Sequence, residues 1–197
     1  RQKVRRYARR QELQWMKICL PSLNLFEMCT CNFKTENFDF LNYINLSEEQ
    51  SRIIWEGRNH PEVRKWMTNS ESFGFDVHQN FIEKLKQSCD KSFWAVIYHD
   101  KIIGSVCLNP YDRIKREGES GRYLLPEYIG KGLGFQIAKE FINYIIRHGI
   151  VNRIYSKTRI DNLRNQHINL KLGFQIYFRD AEYVYMELLS NTIVDEK

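Results

Sequence analysis

No apolar run in this chain is long enough to cross a membrane as a helix. No apolar core segment follows its basic opening, which argues against a secretory signal. Cys19, Cys29, Cys31, Cys89 and Cys107 form an odd, irregular set with neither zinc-ligand nor thioredoxin spacing. That pattern predicts no metal centre and free thiols in a reducing cytoplasm. No internal repeat is present. Acid is missing from residues 1–10, which hold Arg1, Lys3, Arg5, Arg6, Arg9 and Arg10. Those six account for the formal net charge of +6, and the rest of the chain is balanced. A neutral remainder argues against a nucleic-acid binder, and any such affinity would reside in the arm.

At 197 residues the chain fits one domain. Residues 1–37 differ from the rest and are expected to be a basic, poorly ordered extension; residues 190–197 read as a polar tail. Between them, 38–189 alternates strand and helix patterns. Phe38 to Leu46 reads as a strand, and Ser47 with Gln50 forms a capping box that opens a helix. Pro61 suits a first helical turn, with Asn59 or His60 at its mouth. Asp76 is expected to cap a further helix with Val77, Phe81, Ile82 and Leu85 on its inner face. Phe93–Tyr98 and Ile102–Leu108 read as a hairpin turning at His99-Asp100-Lys101. Asp112 to Gly118 reads as a polar loop, and Glu119 to Leu125 as a strand. A long helix then carries Leu133, Ile137, Ala138, Phe141, Ile142 and Ile145 on one face. Arg153–Ile160 is a strand, Asp161-Asn162 begins a helix ending at Leu172-Gly173, and two strands follow at 174–178 and 183–189. This order predicts an α/β (mixed α+β) fold, with a mixed, mostly antiparallel sheet and helices on both faces.

The densest chemical signal is Leu124-Leu125-Pro126-Glu127-Tyr128-Ile129-Gly130-Lys131-Gly132-Leu133-Gly134. A glycine turn opening a helix places free backbone N–H groups and the positive end of the helix dipole at one spot. That spot suits a phosphate or pyrophosphate. The Walker pattern fails because Gly132 follows Lys131. The dinucleotide fingerprint fails because its third small residue would be Phe135 or Ile137.

What remains resembles the acetyl-CoA loop of GNAT-type N-acetyltransferases, Gln/Arg-x-x-Gly-x-Gly/Ala, with Ile129 in place of the leading polar residue. Glu119, seven residues before Pro126, resembles the family's fourth strand. Asn162-Leu163-Arg164-Asn165 and Lys171-Leu172-Gly173-Phe174 resemble its Asn-x-x-Ala…Tyr-x-Lys-x-Gly-Phe, with Asn165 for the alanine and Asn169 for the tyrosine. That tyrosine is the family's usual proton donor to the departing thiolate. The resemblance spans about Phe38 to Leu189. A narrower one covers Arg58-Asn59-His60-Pro61…Trp66-Met67 and His78-x-x-Phe81-Ile82, which is similar to the acetyltransferases of the pseudaminic acid pathway.

The resemblance implies a soluble, cytoplasmic acetyl-CoA-dependent enzyme that acts as a monomer or homodimer on a primary amine. The favoured acceptor is the 4-amino group of a UDP-4-amino-4,6-dideoxy sugar. The alternatives are a ribosomal-protein-type or other small-amine acetyltransferase, or a non-catalytic acyl-CoA sensor. Glu119 is the expected base, with His78 relaying a proton or binding substrate, because an amine must be neutral to attack. A backbone N–H near Leu124–Leu125, with Leu125 favoured, is expected to meet the oxyanion. Ile129, Gly130, Lys131, Gly132, Leu133 and Gly134 would hold the pyrophosphate, and Asn162, Asn165 and Asn169 would line the pantetheine arm. Arg58, His60, Trp66, Met67, His78 and Tyr123 would contact the acceptor, Arg58 through a diphosphate.

Overall fold

The computed structural model describes residues 30–190. The basic run at 1–10 and the tail at 191–197 lie outside the described residues. Eight strands form one sheet in the order β1-β2-β3-β4-β5-β6-β8-β7. They are β1 (Phe33–Lys34), β2 (Asp39–Asn42), β3 (Ser92–Tyr98), β4 (Lys101–Asp112), β5 (Glu117–Leu124), β6 (Arg153–Arg159), β7 (Gln175–Arg179) and β8 (Tyr183–Leu189). The helices are α1 (Glu48–Asn59), α2 (Pro61–Arg64), α3 (Phe75–Leu85), α4 (Leu133–Arg147) and α5 (Leu163–Lys171). Among the described residues, no helix is long and apolar enough to cross a membrane.

Alternation along the strands divides the core in two. Phe40, Trp94, Val96, Ile103, Leu108 and Ile154 turn to one face, where Ile137, Phe141 and Ile145 of α4 cover them. The opposite face of β3 carries Ala95, which packs with Tyr43, Ile54 of α1 and Ile82 and Leu85 of α3. Helices therefore flank both faces, as the order of patterns predicts.

Several local expectations are corrected. The folded unit begins before residue 38: buried Phe33 stacks on Phe40 and Tyr144, with centroids 4.5 and 3.9 Å away. The next strand ends at Asn42, not Leu46, because the Asn42 side chain accepts from Ile44 N (3.2 Å) and starts a 3₁₀ turn over Tyr43–Asn45. Helix α3 begins at Phe75 with Gly74 as its cap; Asp76 sits inside the first turn, facing the dipole. Val77 is 51% exposed, not inward. The polar loop at 112–118 is a short turn within a β4–β5 hairpin, because Tyr111 is buried and its hydroxyl donates to Ile150 O (2.7 Å). The capping box is present, with Gln50 N to Ser47 Oγ at 3.2 Å and Ser47 N to Gln50 Oε1 at 2.9 Å. His99 and Asp100 both take positive φ, the geometry of a tight hairpin turn.

The feature that positions the site is a fork. β5 and β6 pair in parallel only over Glu117–Glu119 and Arg153–Tyr155. Beyond that, β5 stays with β4 while β6 pairs with β8. Helix α5 packs beside the opening, its Asn169 fully buried.

Candidate active site

Strand β5 serves both sides of the fork. Glu119, Gly121 and Tyr123 project to the face of α1 and α3, and Ser120, Arg122 and Leu124 to the face of α4 and α5. The first face holds a cavity of about 490 Å³ bounded by α1, α3, β4, β5 and the Met67–Phe73 segment. Its walls are largely aromatic, including Tyr43, Phe73, Phe81, Phe93 and Tyr123. Among the described residues lining it, none is acidic.

The Arg58-Asn59-His60-Pro61 run divides its labour. Arg58 enters the cavity lining, where Nη2 donates to Asn69 O (2.8 Å) and buried Nη1 has no partner. Burial pulls its pKa down, yet no carboxylate among the described residues pairs with it. Asn59 pins the Phe73 backbone through Nδ2 to Phe73 O (2.9 Å) and Phe73 N to Oδ1 (3.1 Å). His60 caps α2, its Nδ1 accepting from Glu62 N (3.2 Å). Trp66 is 40% exposed and, like His60, lies outside the cavity lining. Of the expected acceptor residues, the structure brings together Arg58, Met67, His78 and Tyr123.

His78 is buried among Tyr43, Phe73 and Phe75, and its Nε2 has no partner. Burial pushes its pKa down to about 4, against a hydrogen bond to the Ser51 backbone. The ring is therefore neutral near pH 7, and its Nε2 is open to a ligand. Tyr43 donates to Ser105 Oγ (2.7 Å), and Tyr123 donates to Ile54 O (3.3 Å). Burial pushes Tyr123 up to about 12, so both phenols stay protonated. Glu119 stands at the fork's apex, two residues from Gly121, a step of about 7 Å along a strand. Burial raises its pKa, and Lys157 acts in the opposite direction.

The other face is built from backbone. Gly130 and Gly132 have φ of +92° and +79°, and a Cβ at either would meet nothing within 4 Å. Their glycine character is thus required by the turn and not by crowding. Helix α4 starts at Leu133 with Gly132 as a cap that supplies no side-chain bond, which leaves its first amides available. Lys131 Nζ lies 5.2 Å from the Tyr128 ring centre, and Ile129 is an exposed neighbour of the loop. Such a cradle fits a pyrophosphate, and the open fork beside it fits a narrow arm.

Three expectations on this side change. The Leu125 N–H is already bonded to Ile103 O (2.9 Å), and its side chain packs on Gly57 of α1, so it is not a free oxyanion donor. Alternation along β5 turns the Leu124 N–H to the other edge, into the fork. Asn162 commits its side-chain oxygen to capping α5 through Asn165 N (3.1 Å). Asn165 and Asn169 are not free to line a cofactor arm. Their oxygens accept from Arg122 Nη2 at 2.7 and 2.8 Å, and their nitrogens donate to Thr158 Oγ1 and Ser156 Oγ, each at 2.8 Å.

Sequence reasoning missed Tyr43, Asn69, Phe73, Ser105 and Arg122. Only Arg122 left a signal, a cation in the strand that runs into the glycine turn.

Residues 42–175 match the family described as the acetyltransferase (GNAT) domain. The acetyltransferase PseH of Campylobacter jejuni (strain 81-176) is 26% identical over 145 residues, covering 74% of this chain and 89% of that protein. The crystal structure of C. jejuni N-acetyltransferase PseH with acetyl coenzyme A superposes with a TM-score of 0.64 at 22% identity, over 77% of this chain and 98% of that one. Spermidine N-acetyltransferase from Vibrio cholerae, with CoA and spermine, shares the fold at a TM-score of 0.70 and 18% identity, over 80% of this chain and 98% of that one. With the glycine cradle, the forked sheet and a family match across most of the described residues, the chain belongs to the GNAT family of acetyl-CoA-dependent N-acetyltransferases.

Proposed function

We propose that this protein acetylates the 4-amino group of a UDP-4-amino-4,6-dideoxy sugar, the reaction of the pseudaminic acid pathway. The observation that carries this reading is Arg58. A guanidinium with a buried, unpartnered Nη1, in a cavity whose described lining has no acidic residue, calls for an anionic ligand. A nucleotide diphosphate supplies that charge, and its flat base suits aromatic walls. A polyamine, the ligand bound to the V. cholerae relative, would bring positive charge to a site that already holds it.

Acetyl-CoA, when bound, supplies an acetyl group activated as a thioester. The backbone N–H groups of Gly130 to Gly134 hold the pyrophosphate, with Lys131 adding charge. Neutral His78 accepts a hydrogen bond from the acceptor through Nε2 and orients it. Glu119, its pKa raised by burial, takes the proton from the attacking amine directly or through a water. The Leu124 N–H donates to the oxygen that gains charge.

The test is to incubate the full chain with acetyl-CoA and the UDP-4-amino sugar, following free thiol and the mass of the nucleotide sugar. One acetyl gained per thiol released supports the reading. Acetyl-CoA binding without transfer discards this acceptor and turns the search to peptide N-termini and other amines.

A further inference from the structure

Arg122 is the cation that the chemistry above does not use. Its side chain leaves β5 on the fork side and reaches α5, where Nη2 donates to Asn165 Oδ1 (2.7 Å) and Asn169 Oδ1 (2.8 Å). Both acceptors are neutral amides. No carboxylate among the described residues lies within ion-pairing distance of it. Burial pulls its pKa down to about 10, so it remains charged at neutral pH. A half-buried cation held only by neutral groups is poised for an anion.

Position narrows the choice of anion. Along β5, Arg122 stands three residues, about 10 Å, beyond Glu119 and before the turn that carries the glycine cradle. It is also part of the acceptor cavity's lining. An arm running from the cradle at the start of α4 to that cavity must pass it. The pyrophosphate has its own amides and the acceptor's diphosphate has Arg58, which leaves the anion that forms at the far end of the arm, the sulfur of coenzyme A after its bond to the acetyl carbon breaks. Asn169, which stands on α5 where the resemblance puts the tyrosine, is an amide with no acidic proton to give. Asn165 and Asn169 are themselves locked by Thr158 and Ser156, so the guanidinium is held from behind.

We propose that Arg122 receives the departing thiolate of coenzyme A as an ion pair, an inference that rests on the acetyl-CoA reading of the fork. The amine nitrogen forms a bond to the acetyl carbon, the carbon–sulfur bond breaks, and its electron pair stays on sulfur. The amine's proton leaves to Glu119. The thiolate departs with Arg122 as its counter-ion, with no proton transfer to sulfur required at that step. A thiol beside a fixed arginine is more acidic than a free one.

The test titrates the thiol of bound coenzyme A by its thiolate ultraviolet absorbance, in wild type, Arg122→Gln and Arg122→Lys. Desulfo-CoA affinity serves as the control for the rest of the site. In wild type the bound thiol should titrate at least about one pH unit below free coenzyme A, a tenfold gain in thiolate at a given pH. Arg122→Gln should return it to the free value while desulfo-CoA affinity is kept, and Arg122→Lys should retain part of the shift. A wild-type thiol that titrates like free coenzyme A overturns the inference without any variant. So does an unchanged shift in Arg122→Gln, or an equal loss of coenzyme A and desulfo-CoA affinity with the shift intact, which would make Arg122 a brace between β5 and α5. If Arg122→Gln does not fold, wild type and Arg122→Lys decide between these outcomes. Failure of wild type to bind desulfo-CoA is a separate result, and it removes the acetyl-CoA reading and this inference together.

Discussion

The two sides of β5 are built from different materials. On the α4 side, a run of consecutive residues, Gly130 to Gly134, presents main-chain amides, and side chains matter mainly by being absent. On the α1 side, the cavity is assembled from side chains that lie as far apart in sequence as Tyr43, Arg58, His78, Ser105 and Tyr123. The donor side must hold one invariant ligand part, a pyrophosphate, and backbone geometry suffices for it. The acceptor side must choose among amines, and choice requires side chains whose charge and shape can differ. Glu119 stands at the apex where β5 and β6 part, and in the proposed reaction it would serve both sides by taking the proton that leaves as the two substrates join.

The largest expected effect is therefore at the apex. Glu119→Gln removes the proposed base and should lower kcat/KM by about 10²- to 10⁴-fold while the affinity for acetyl-CoA is kept. The pH profile sharpens this. Because burial raises the Glu119 pKa, the acid limb of wild-type kcat/KM should lie above the ordinary carboxylate range, and the variant should lose that limb. An unchanged profile would assign the limb to another group.

The second effect concerns stability on the acceptor side, and His78 carries it. Unfolded, this histidine takes a proton near its ordinary value of 6.5; folded, burial delays protonation to about pH 4. Between those values the unfolded chain binds more protons, so stability falls as pH drops from about 6.5 to about 4, by up to about 3 kcal/mol. Arg58 and Arg122 are the charged residues that line the same cavity, and burial is the main cause of the lowered value. Denaturant melts of wild type and His78→Phe at pH 7.5 and pH 4.5 should show a smaller acid loss in the variant. Equal losses would place the proton uptake elsewhere.

The contrast in materials also decides how much of each side shows in the sequence. The cradle was legible because it is local: three glycines, a helix-period run from Leu133 to Ile145, and a strand that leads into them. The capping box at Ser47 and Gln50 was legible for the same reason. The acceptor cavity was legible only where one run happened to supply it. The Arg58-Asn59-His60-Pro61 run carries its resemblance as a unit, yet in the fold Arg58 faces the cavity, Asn59 pins Phe73 and His60 caps the helix that Pro61 opens, the last as the sequence predicts. Consecutive residues at a helix end point in different directions, so contiguity there does not mean a shared site. Leu125 differs in another way: a backbone N–H near Leu124–Leu125 is expected to be exposed, but the β4 partner strand extends far enough to bond that of Leu125. Hydrogen bonds between distant strands leave no mark in local sequence.

Arg58 gives the third prediction, and it separates the two sides by ligand. Loss of a charge-assisted contact costs about 1.5–3 kcal/mol, so Arg58→Ala should raise KM for an anionic nucleotide-sugar acceptor by about 10- to 100-fold. KM for acetyl-CoA should stay unchanged, because Arg58 lies across the sheet from the glycine cradle. A variant that loses both equally would mean that Arg58 organises the fold around Asn69 and Phe73 instead of meeting substrate.

The smallest effect discriminates within the donor side itself, between two glycines that look alike in sequence. Gly132 sits at φ +79° with open space around a would-be Cβ, so alanine there is opposed only by backbone strain, about 1–2 kcal/mol. Gly134 lies in the first turn of α4, where a Cβ would make ordinary contacts with Ile168 Cδ1 (3.6 Å) and Leu124 Cδ1 (3.8 Å). Alanine there should be neutral or stabilise the helix by up to about 1 kcal/mol. Gly132→Ala should thus lower both the melting temperature and acetyl-CoA affinity, and Gly134→Ala should lower neither. Thermal melts with and without coenzyme A measure both quantities at once. If the cradle works through the direction of its amides, only the substitution that bends the backbone will be felt. If Gly134→Ala proves as harmful as Gly132→Ala, the space beside the helix's first turn matters as much as the turn's geometry, and the donor side depends on side-chain volume just as the acceptor side does.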